Sequence, residues 1–329
     1  MTESRLLFIT LSNIGDLVLT TPILVALHTA YPRHLIDIVA DARSSSLLAG
    51  CPFRGDIFHR DKKDGIPGLL KLVRILRQRH YDAIIDLRTD FLPWMLHADR
   101  RTARWRRGAH GPHAIDQHFA IAKRIIKTPL PLPNTIVWLD SQDEAFAAAA
   151  FVPFRNARCL ALATGANWPG KIWPIAYFEE LIELSKKEFD VIAILGGPRD
   201  RSDTAQLAAR SALPILNFTG DTNLTQAAAI LDYATVFVGN DSGLGHIAAA
   251  RGVRTLTLFG PGRPERYRPW GARAEILEAP SRNLSLLRAE EVFRKLKQIL
   301  ETQTVAIGYN SLAGELASAR ALDSHFTTD

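Results

Sequence analysis

The chain alternates short apolar runs with amphipathic segments. "LLFITL" near the N-terminus is a continuous apolar run of strand length. "DLVLTTPILVALHTAYP" follows, with Leu17, Thr20, Leu24 and Leu27 at helical spacing and Pro32 beyond the end, which predicts one helix. "LIDIVAD" is the next strand. "GLLKLVRILRQRHY" puts Leu69, Leu72, Val73 and Leu76 at i, i+3, i+4 and i+7, a helix, and "DAIIDLR" is a strand after it. A βαβαβ order implies a parallel sheet with helices on both faces.

The alternation returns after the proline-rich "TPLPLPN" (128–134), which reads as an extended connection, and the alanine-rich "DSQDEAFAAAAF", with Asp140 or Ser141 as N-cap. "RCLALAT", "VIAILGG", "TVFVGN" and "RTLTLFG" read as strands. "IAYFEELIELSKKEF", "RSDTAQLAARSA", "TQAAAILDYA" and "GHIAAARG" read as helices, followed by a last helix in "LSLLRAEEVFRKLKQIL". The expected fold class is α/β with two doubly wound domains, residues 1–150 and 151–303, linked around 135–155, and a weakly patterned tail at 304–329. Ligands of such sheets sit at the carboxyl ends of strands, and the cleft between two such domains is the expected site.

Composition narrows the class. The 329 residues suit two domains, and 47% apolar with 22% charged residues suits a core-forming protein. No apolar run approaches the roughly 20 residues that cross a bilayer. The first apolar segment reads as a strand rather than a signal peptide. Cys51 and Cys159 make no metal spacing and fit reduced, buried thiols in a cytoplasmic protein. The net charge of +6 is concentrated between residues 97 and 127. That segment fits either a solvated surface or a patch for an anionic partner. A nucleic-acid partner is suggested by charge alone, without a helix-turn-helix, RRM or zinc signature.

The strand-to-helix turns carry the chemistry. "TGANWPGKIW" nearly matches a P-loop at Gly165, Gly170 and Lys171, but Ile172 stands where a magnesium-binding hydroxyl belongs and Pro169 lacks an N–H. Lys171 stays open as a phosphate contact or a solvated lysine. In "LSNIGDLVLTTP", Gly15 allows a tight turn, and Asp16 fits either a favourable charge at a helix start or a proton acceptor facing the cleft. In "FVGNDSGLGHIAAARGV", Ser242, Gly243, Leu244 and Gly245 offer backbone amides at a helix start, His246 can donate to a phosphate oxygen, and Gly252 ends the helix. Asp241 and His246 also fit purely structural roles. Arg263, Arg266 and Arg268 lie in "FGPGRPERYRPWG", an irregular loop that reads as structural or as a lid on the phosphate side.

Four blocks, "LSNIGDLVLTTPILVAL", "GANWPGKIWPIAYFEEL", "LGGPRD" and "VGNDSGLGHIAAARGVRTLTLFGPGRPERYRPWG", together resemble glycosyltransferase family 9, the ADP-heptose:lipopolysaccharide heptosyltransferases. The resemblance implies a GT-B fold, with an N-terminal acceptor domain and a C-terminal nucleotide-sugar domain. It implies inverting sugar transfer from a nucleotide-diphosphate sugar without a metal or other cofactor, and no D-x-D pair stands where a metal would be expected. By resemblance, Asp16 matches the general base and Lys171 the lysine beside the donor diphosphate. Asp241, Ser242, Gly243, Leu244, Gly245 and His246 match the loop around the donor's phosphates and sugar, and Asp200 lies near the ribose contact. Lys62, Lys63, Arg88 and Arg104 are the acceptor-side candidates, for phosphates or acidic sugars of an anionic glycolipid at the inner membrane face. Thr10, Thr164 and Arg88 depart from the family's usual residues. A non-catalytic homologue that binds nucleotide sugars or glycans, or a member using another donor or acceptor, is the alternative reading.

Overall fold

The computed structural model describes residues 3–60, 64–89, 91–102 and 111–302. Its first half forms a sheet of β1 (Arg5–Ile9), β2 (Leu35–Ala40), β3 (Arg54–His59), β4 (Tyr81–Asp86) and β5 (Ala98–Arg101). Every pairing is parallel, in the order β3-β2-β1-β4-β5. The second half builds a sheet from β6 (Cys159–Ala163), β7 (Val191–Leu195), β8 (Ile215–Asn217), β9 (Val236–Asn240), β10 (Thr255–Phe259) and β11 (Ala274–Glu278). It too is wholly parallel, in the order β8-β7-β6-β9-β10-β11. In both halves the chain starts mid-sheet, winds to one edge, and returns to build the other side. Each sheet therefore has one reversal point, between β1 and β4 and between β6 and β9, and a crevice opens there at the strands' carboxyl ends.

The central strands are buried along nearly their whole length, which is why they appear as predominantly apolar runs, with only the short threonines of β10 and Asn240 at the end of β9 among the polar exceptions of the second sheet's centre. The edge strands β3, β5, β8 and β11 are partly exposed, and three carry charge ("RGDIFH", "ADRR", "AEILE"). Charge on an edge keeps it from pairing with another chain, and it also erases the apolar pattern.

The helices are α1 (Ile14–Val18), α2 (Thr21–Ala30), α3 (Gly65–Leu76), α4 (Ala114–Ala122), α5 (Ser141–Ala150), α6 (Ile175–Ser185), α7 (Arg201–Arg210), α8 (Leu224–Leu231), α9 (Gly243–Ala250), α10 (Pro264–Tyr267) and α11, residues 289–302. The single helix expected after β1 is in fact two. Pro22 has no N–H to give the Val18 carbonyl, and Thr21 Oγ1 donates to that oxygen instead at 2.8 Å. Thr20 Oγ1 does the same for Leu17 at 2.7 Å. Asp140 caps α5, accepting from the Gln142 and Asp143 amides at 2.9 Å each. Gly252, expected to end α9, has φ +75°.

One cluster of buried side chains runs without a break from Leu6, Phe8 and Leu24 of the first half to Ala161, Phe237 and Ile247 of the second. Helix α1 packs directly on α9, and α5 packs on α8. The two sheets are thus joined through the helices that carry the site.

Candidate functional site

The turn after β1 is anchored below by a buried 2.7 Å hydrogen bond between the Thr10 and Thr20 hydroxyls. Asn13 is the extended N-cap of α1, and its Nδ2 donates to Asp16 Oδ2 at 2.9 Å. Burial is the main influence on the Asp16 carboxyl and raises its pKa above the usual carboxylate value. The Asn13 hydrogen bond and the positive charges of Arg266 and Lys171 work against that rise, while Asp241 adds to it. Three of these charges belong to the second sheet, so Asp16 faces across the crevice.

Gly15 serves a different purpose from the tight turn expected of it. Its φ is not positive, but a Cβ there would lie 2.6 Å from His246 Cδ2. The contact is reciprocated, since a Cβ on Gly243 would lie 2.6 Å from Ile14 Cγ2. Each turn supplies a glycine that receives the other's side chain.

The turn after β6 is a short 3₁₀ segment, Pro169–Lys171, and α6 begins only at Ile175. It is not a P-loop. Lys171 Nζ lies 2.5 Å from Asp241 Oδ2, in a pair whose lysine is 30% and whose aspartate is 8% exposed. Trp173 is fully buried and donates Nε1–H to the Leu287 carbonyl at 2.8 Å, so it packs, whereas Trp168 is largely exposed. Asn240, which the sequence reading passed over, joins the turns after β6 and β9. Its Oδ1 accepts from the Trp173 amide at 3.0 Å and its Nδ2 donates to the Thr164 carbonyl at 2.7 Å. An amide side chain ending a buried strand was the available signal.

Ser242, not Asp241, is the N-cap of α9, and its buried hydroxyl has no partner among the described residues. The amides of Gly243, Leu244 and Gly245 open the helix with no preceding turn to bond to. His246 is buried against Gly15, and burial first, then His113 and Lys171, push its pKa down to about 3. The ring is neutral at physiological pH and can act only as a neutral donor or acceptor. Asp200 caps its own turn by accepting from the Gly197 amide at 2.8 Å, and its carboxylate lies over Gly165 and Gly196, spanning the ends of β6 and β7.

The arginine loop after β10 bridges the halves. Arg266 Nη1 donates to Gln117 Oε1 on α4 at 2.7 Å, and His113 Nε2 lies 2.9 Å from the Arg268 carbonyl. Arg263 pairs with Glu265 at 3.0 Å, and Arg268 is exposed.

On the first-sheet side a pocket of about 380 Å³ is lined by Ser12, Asn13, Asp16, Arg60, Arg88 and Phe91, among others. The Arg88 side chain is only 6% exposed. Among the described residues its closest carboxylate oxygen is Asp41 Oδ2, 3.9 Å away, and its Nε and Nη1 meet no hydrogen-bond partner. Asp41 is itself held by Arg43 at 2.9 Å. Among the described residues, then, the pocket holds a guanidinium with two unpaired donors beside Arg60. Below it, burial pushes Asp86 up to about 6, although the Arg88 and Thr89 amides donate to it at 2.8 and 2.7 Å. A hollow of about 360 Å³ between α6 and α7, lined by Glu179, Glu183 and Arg210, holds none of the turn residues.

Lys62, Lys63 and Arg104 lie outside the described residues, as do Arg106 and Arg107 of the basic segment 97–127. Of its described members, Arg100 stacks on Tyr31, Arg101 on Trp94 and Lys123 on Phe119, while Arg124 and Lys127 are exposed. The ligating atoms of His80, Asp82 and Asp99 lie within 4.8 Å of one another at the opposite ends of β4 and β5. There His34 pairs with Asp82 at 2.8 Å and His80 with Asp99 at 3.0 Å.

Residues 69–297 match the family described as glycosyltransferase family 9 (heptosyltransferase). Lipopolysaccharide heptosyltransferase 3 of Escherichia coli K12 is 24% identical over 330 residues, spanning 87% of this chain and 95% of that protein. Lipopolysaccharide heptosyltransferase 1 of Pseudomonas aeruginosa is 28% identical over 294 residues, 79% of each chain. Among solved structures, the glycosyl transferase family 9 protein of Veillonella parvula superposes with a TM-score of 0.82 at 22% identity, covering 92% of this chain and 98% of its own. ADP-heptose lipopolysaccharide heptosyltransferase II of E. coli superposes at 0.78 and 23% identity, covering 91% and 99%. The fold is therefore GT-B, as the resemblance implied. With a carboxylate on one side of the crevice and a lysine and helix amides on the other, the chain belongs to glycosyltransferase family 9, the heptosyltransferase family, and is a glycosyltransferase.

Proposed function

We propose that the protein transfers a heptose from ADP-heptose to a lipopolysaccharide core or related glycolipid, with inversion and without a metal ion. The observation that carries the reading is the opposition of Asp16 to the Lys171–Asp241 pair and the start of α9 across one crevice. The donor's diphosphate lies on the second sheet, where Lys171 and the amides of Gly243, Leu244 and Gly245 supply the positive potential a divalent ion would otherwise give. Lys171 turns from Asp241 to the diphosphate as the donor enters. Asp241 is then free for a sugar hydroxyl, and Asp200, at the ends of β6 and β7, for the ribose.

The acceptor enters the pocket on the first sheet, where Arg88 and Arg60 meet an acidic group and Asp16 meets the reacting hydroxyl. Asp16 takes the hydroxyl proton as that oxygen attacks the anomeric carbon. The bond from that carbon to the diphosphate oxygen breaks, and ADP leaves with the bonding pair. Attack and departure occur on opposite faces of the sugar because base and phosphate site stand on opposite walls. Burial lifts the Asp16 pKa and so makes it a better proton acceptor than an exposed aspartate. The enzyme works in the cytoplasm, at the inner face of the membrane that holds its acceptor.

The test is Asp16→Asn with ADP-heptose and a lipopolysaccharide-core acceptor. Turnover falls by about 10²–10⁴ while ADP affinity, measured by calorimetry, is unchanged. Full turnover in that variant would remove the base from the scheme. Equal turnover with other nucleotide sugars would remove ADP-heptose as the preferred donor.

A further inference from the structure

The core of the molecule leaves one helix face unexplained. Helix α3 buries Leu72, Val73 and Leu76 against the first sheet. Ile66 and Leu70 point away from that core and are 71% and 55% exposed. On the adjoining segment, Phe91 and Trp94 are 78% and 53% exposed. Leu69 of α3 and Phe91 line the same pocket as Asp16, Arg60 and Arg88, so both exposed apolar segments adjoin that pocket. Single exposed apolar residues are ordinary, but four on two segments that adjoin one pocket are not.

Asp64 stands at the start of α3, and beyond it the charge along the helix is of one sign. From residue 65 to residue 81 the sequence has no acidic residue and carries Lys71, Arg74, Arg77 and Arg79. Arg79 is occupied by Asp37 and Asp56. Among the described residues Lys71, Arg74 and Arg77 meet no carboxylate, and all three are exposed. Ile66, Leu70, Arg74 and Arg77 follow at i, i+4, i+8 and i+11, which is one stripe of a helix. Helix α11 makes the contrast: Arg294, Lys295 and Lys297 alternate there with Glu290, Glu291 and Glu301.

Aliphatic and aromatic side chains beside unpaired cations on a half-buried helix suit the boundary of an anionic bilayer, with rings and branched chains at acyl depth and ammonium and guanidinium groups among phosphates. We infer that α3 and the segment 91–95 dock the protein on an anionic phospholipid surface, with the pocket of Asp16, Arg60 and Arg88 opening toward the lipid. The inference rests on the proposal that this pocket takes the sugar end of a lipid-linked acceptor. It adds which face meets the membrane and why the acceptor needs no extraction from it.

The experiment is sedimentation of the full chain with vesicles of phosphatidylcholine alone and of phosphatidylcholine with about one third phosphatidylglycerol. The protein binds the second and not the first, and 0.5 M salt releases it. At about a fivefold effect per cation, Lys71→Gln/Arg74→Gln/Arg77→Gln weakens binding about a hundredfold. Ile66→Ser/Leu70→Ser and Phe91→Ser each weaken it about tenfold or more. Arg294→Gln/Lys297→Gln on α11 leaves it unchanged. All of these positions are exposed, and unaltered melting temperatures verify the folds. The inference is overturned if wild type ignores the anionic vesicles, or if the α3 variants bind like wild type. It is also overturned if Ile66→Ser/Leu70→Ser instead converts a dimer to a monomer by light scattering, which would make the face a contact between copies. Transfer to a water-soluble, deacylated acceptor is unchanged in the Lys71→Gln/Arg74→Gln/Arg77→Gln, Ile66→Ser/Leu70→Ser and α11 variants, whose positions lie outside the pocket lining. Absence of any transfer with vesicle binding intact would overturn the functional reading and leave the docking face standing.

Discussion

Lys171→Met separates two things the lysine does. In the unliganded protein it neutralises Asp241, which is 8% exposed, through a 2.5 Å contact. Breaking a fully buried pair costs about 3–5 kcal/mol and breaking an exposed one about 0–1. With the lysine 30% exposed, the cost falls between, at about 2 kcal/mol, a fall in melting temperature of roughly 3 °C for a chain of this size. In the proposed reaction the same ammonium faces the departing diphosphate, and losing it costs about 10²–10³ in kcat, as for other preorganised donors. Asp241→Asn in the Lys171→Met background removes the stranded carboxylate, so most of the lost stability returns. Turnover does not return, because neither substitution restores positive charge at the phosphates. Thermal unfolding and release of ADP from ADP-heptose are the two readouts. If the double variant recovered turnover together with stability, Lys171 would serve only to neutralise Asp241, and its place at the donor would be refuted.

Three further outcomes follow from the geometry. Asn13→Ala removes the hydrogen bond that favours the Asp16 carboxylate, so its raised pKa rises further and the acidic limb of the kcat/KM–pH profile moves to higher pH; a limb that stays put would detach it from Asp16. Asp86 has its pKa raised to about 6 from 3.8, so the folded state holds that proton more tightly. Stability from this group is present below about pH 4 and lost as pH rises through 6; Asp86→Asn therefore raises the unfolding free energy at pH 7, by up to about 3 kcal/mol, and not at pH 4, as chemical denaturation at the two pH values measures. Gly15→Ala drives a methyl into the His246 ring and costs about 1–3 kcal/mol with a fall in kcat, and His246→Ala in the same chain restores part of the stability; additive losses would show that the two residues do not meet.

The sequence was most readable where burial is two-sided. β6 and β7 are continuous apolar runs, β1 is apolar after its first residue and β9 and β10 are mostly apolar, because burial on both faces leaves little room for polar groups, and the turns after β1, β6 and β9 could be found from where those runs end. The edge strands and α4 were invisible, since their residues answer to solvent on one side and to particular neighbours on the other. At the site, residue types at strand ends indicated Asp16, Lys171 and Asp241. They could not indicate that Lys171 lies on Asp241, that His246 is held neutral, or that Gly15 makes room for a ring 231 residues away in the chain. Those facts depend on how the two halves meet, and no local pattern encodes that. Asn240 sits beside two residues that were noticed, yet its role needs two backbone groups brought from a different turn.

The paired glycines have a consequence for how such an enzyme can change its substrate. Ile14 and His246 each fill the space above a glycine of the opposite wall. The floor of the crevice therefore has tolerances smaller than a methyl group, and the gap between carboxylate and helix amides cannot be retuned by small substitutions there. A new acceptor must be accommodated at the rim, where Arg60, Arg88 and Phe91 stand on loops rather than in this lock. Reaction geometry and acceptor choice are thus separable in this molecule: one is set by side chains that no longer have room to vary, the other by side chains that still do.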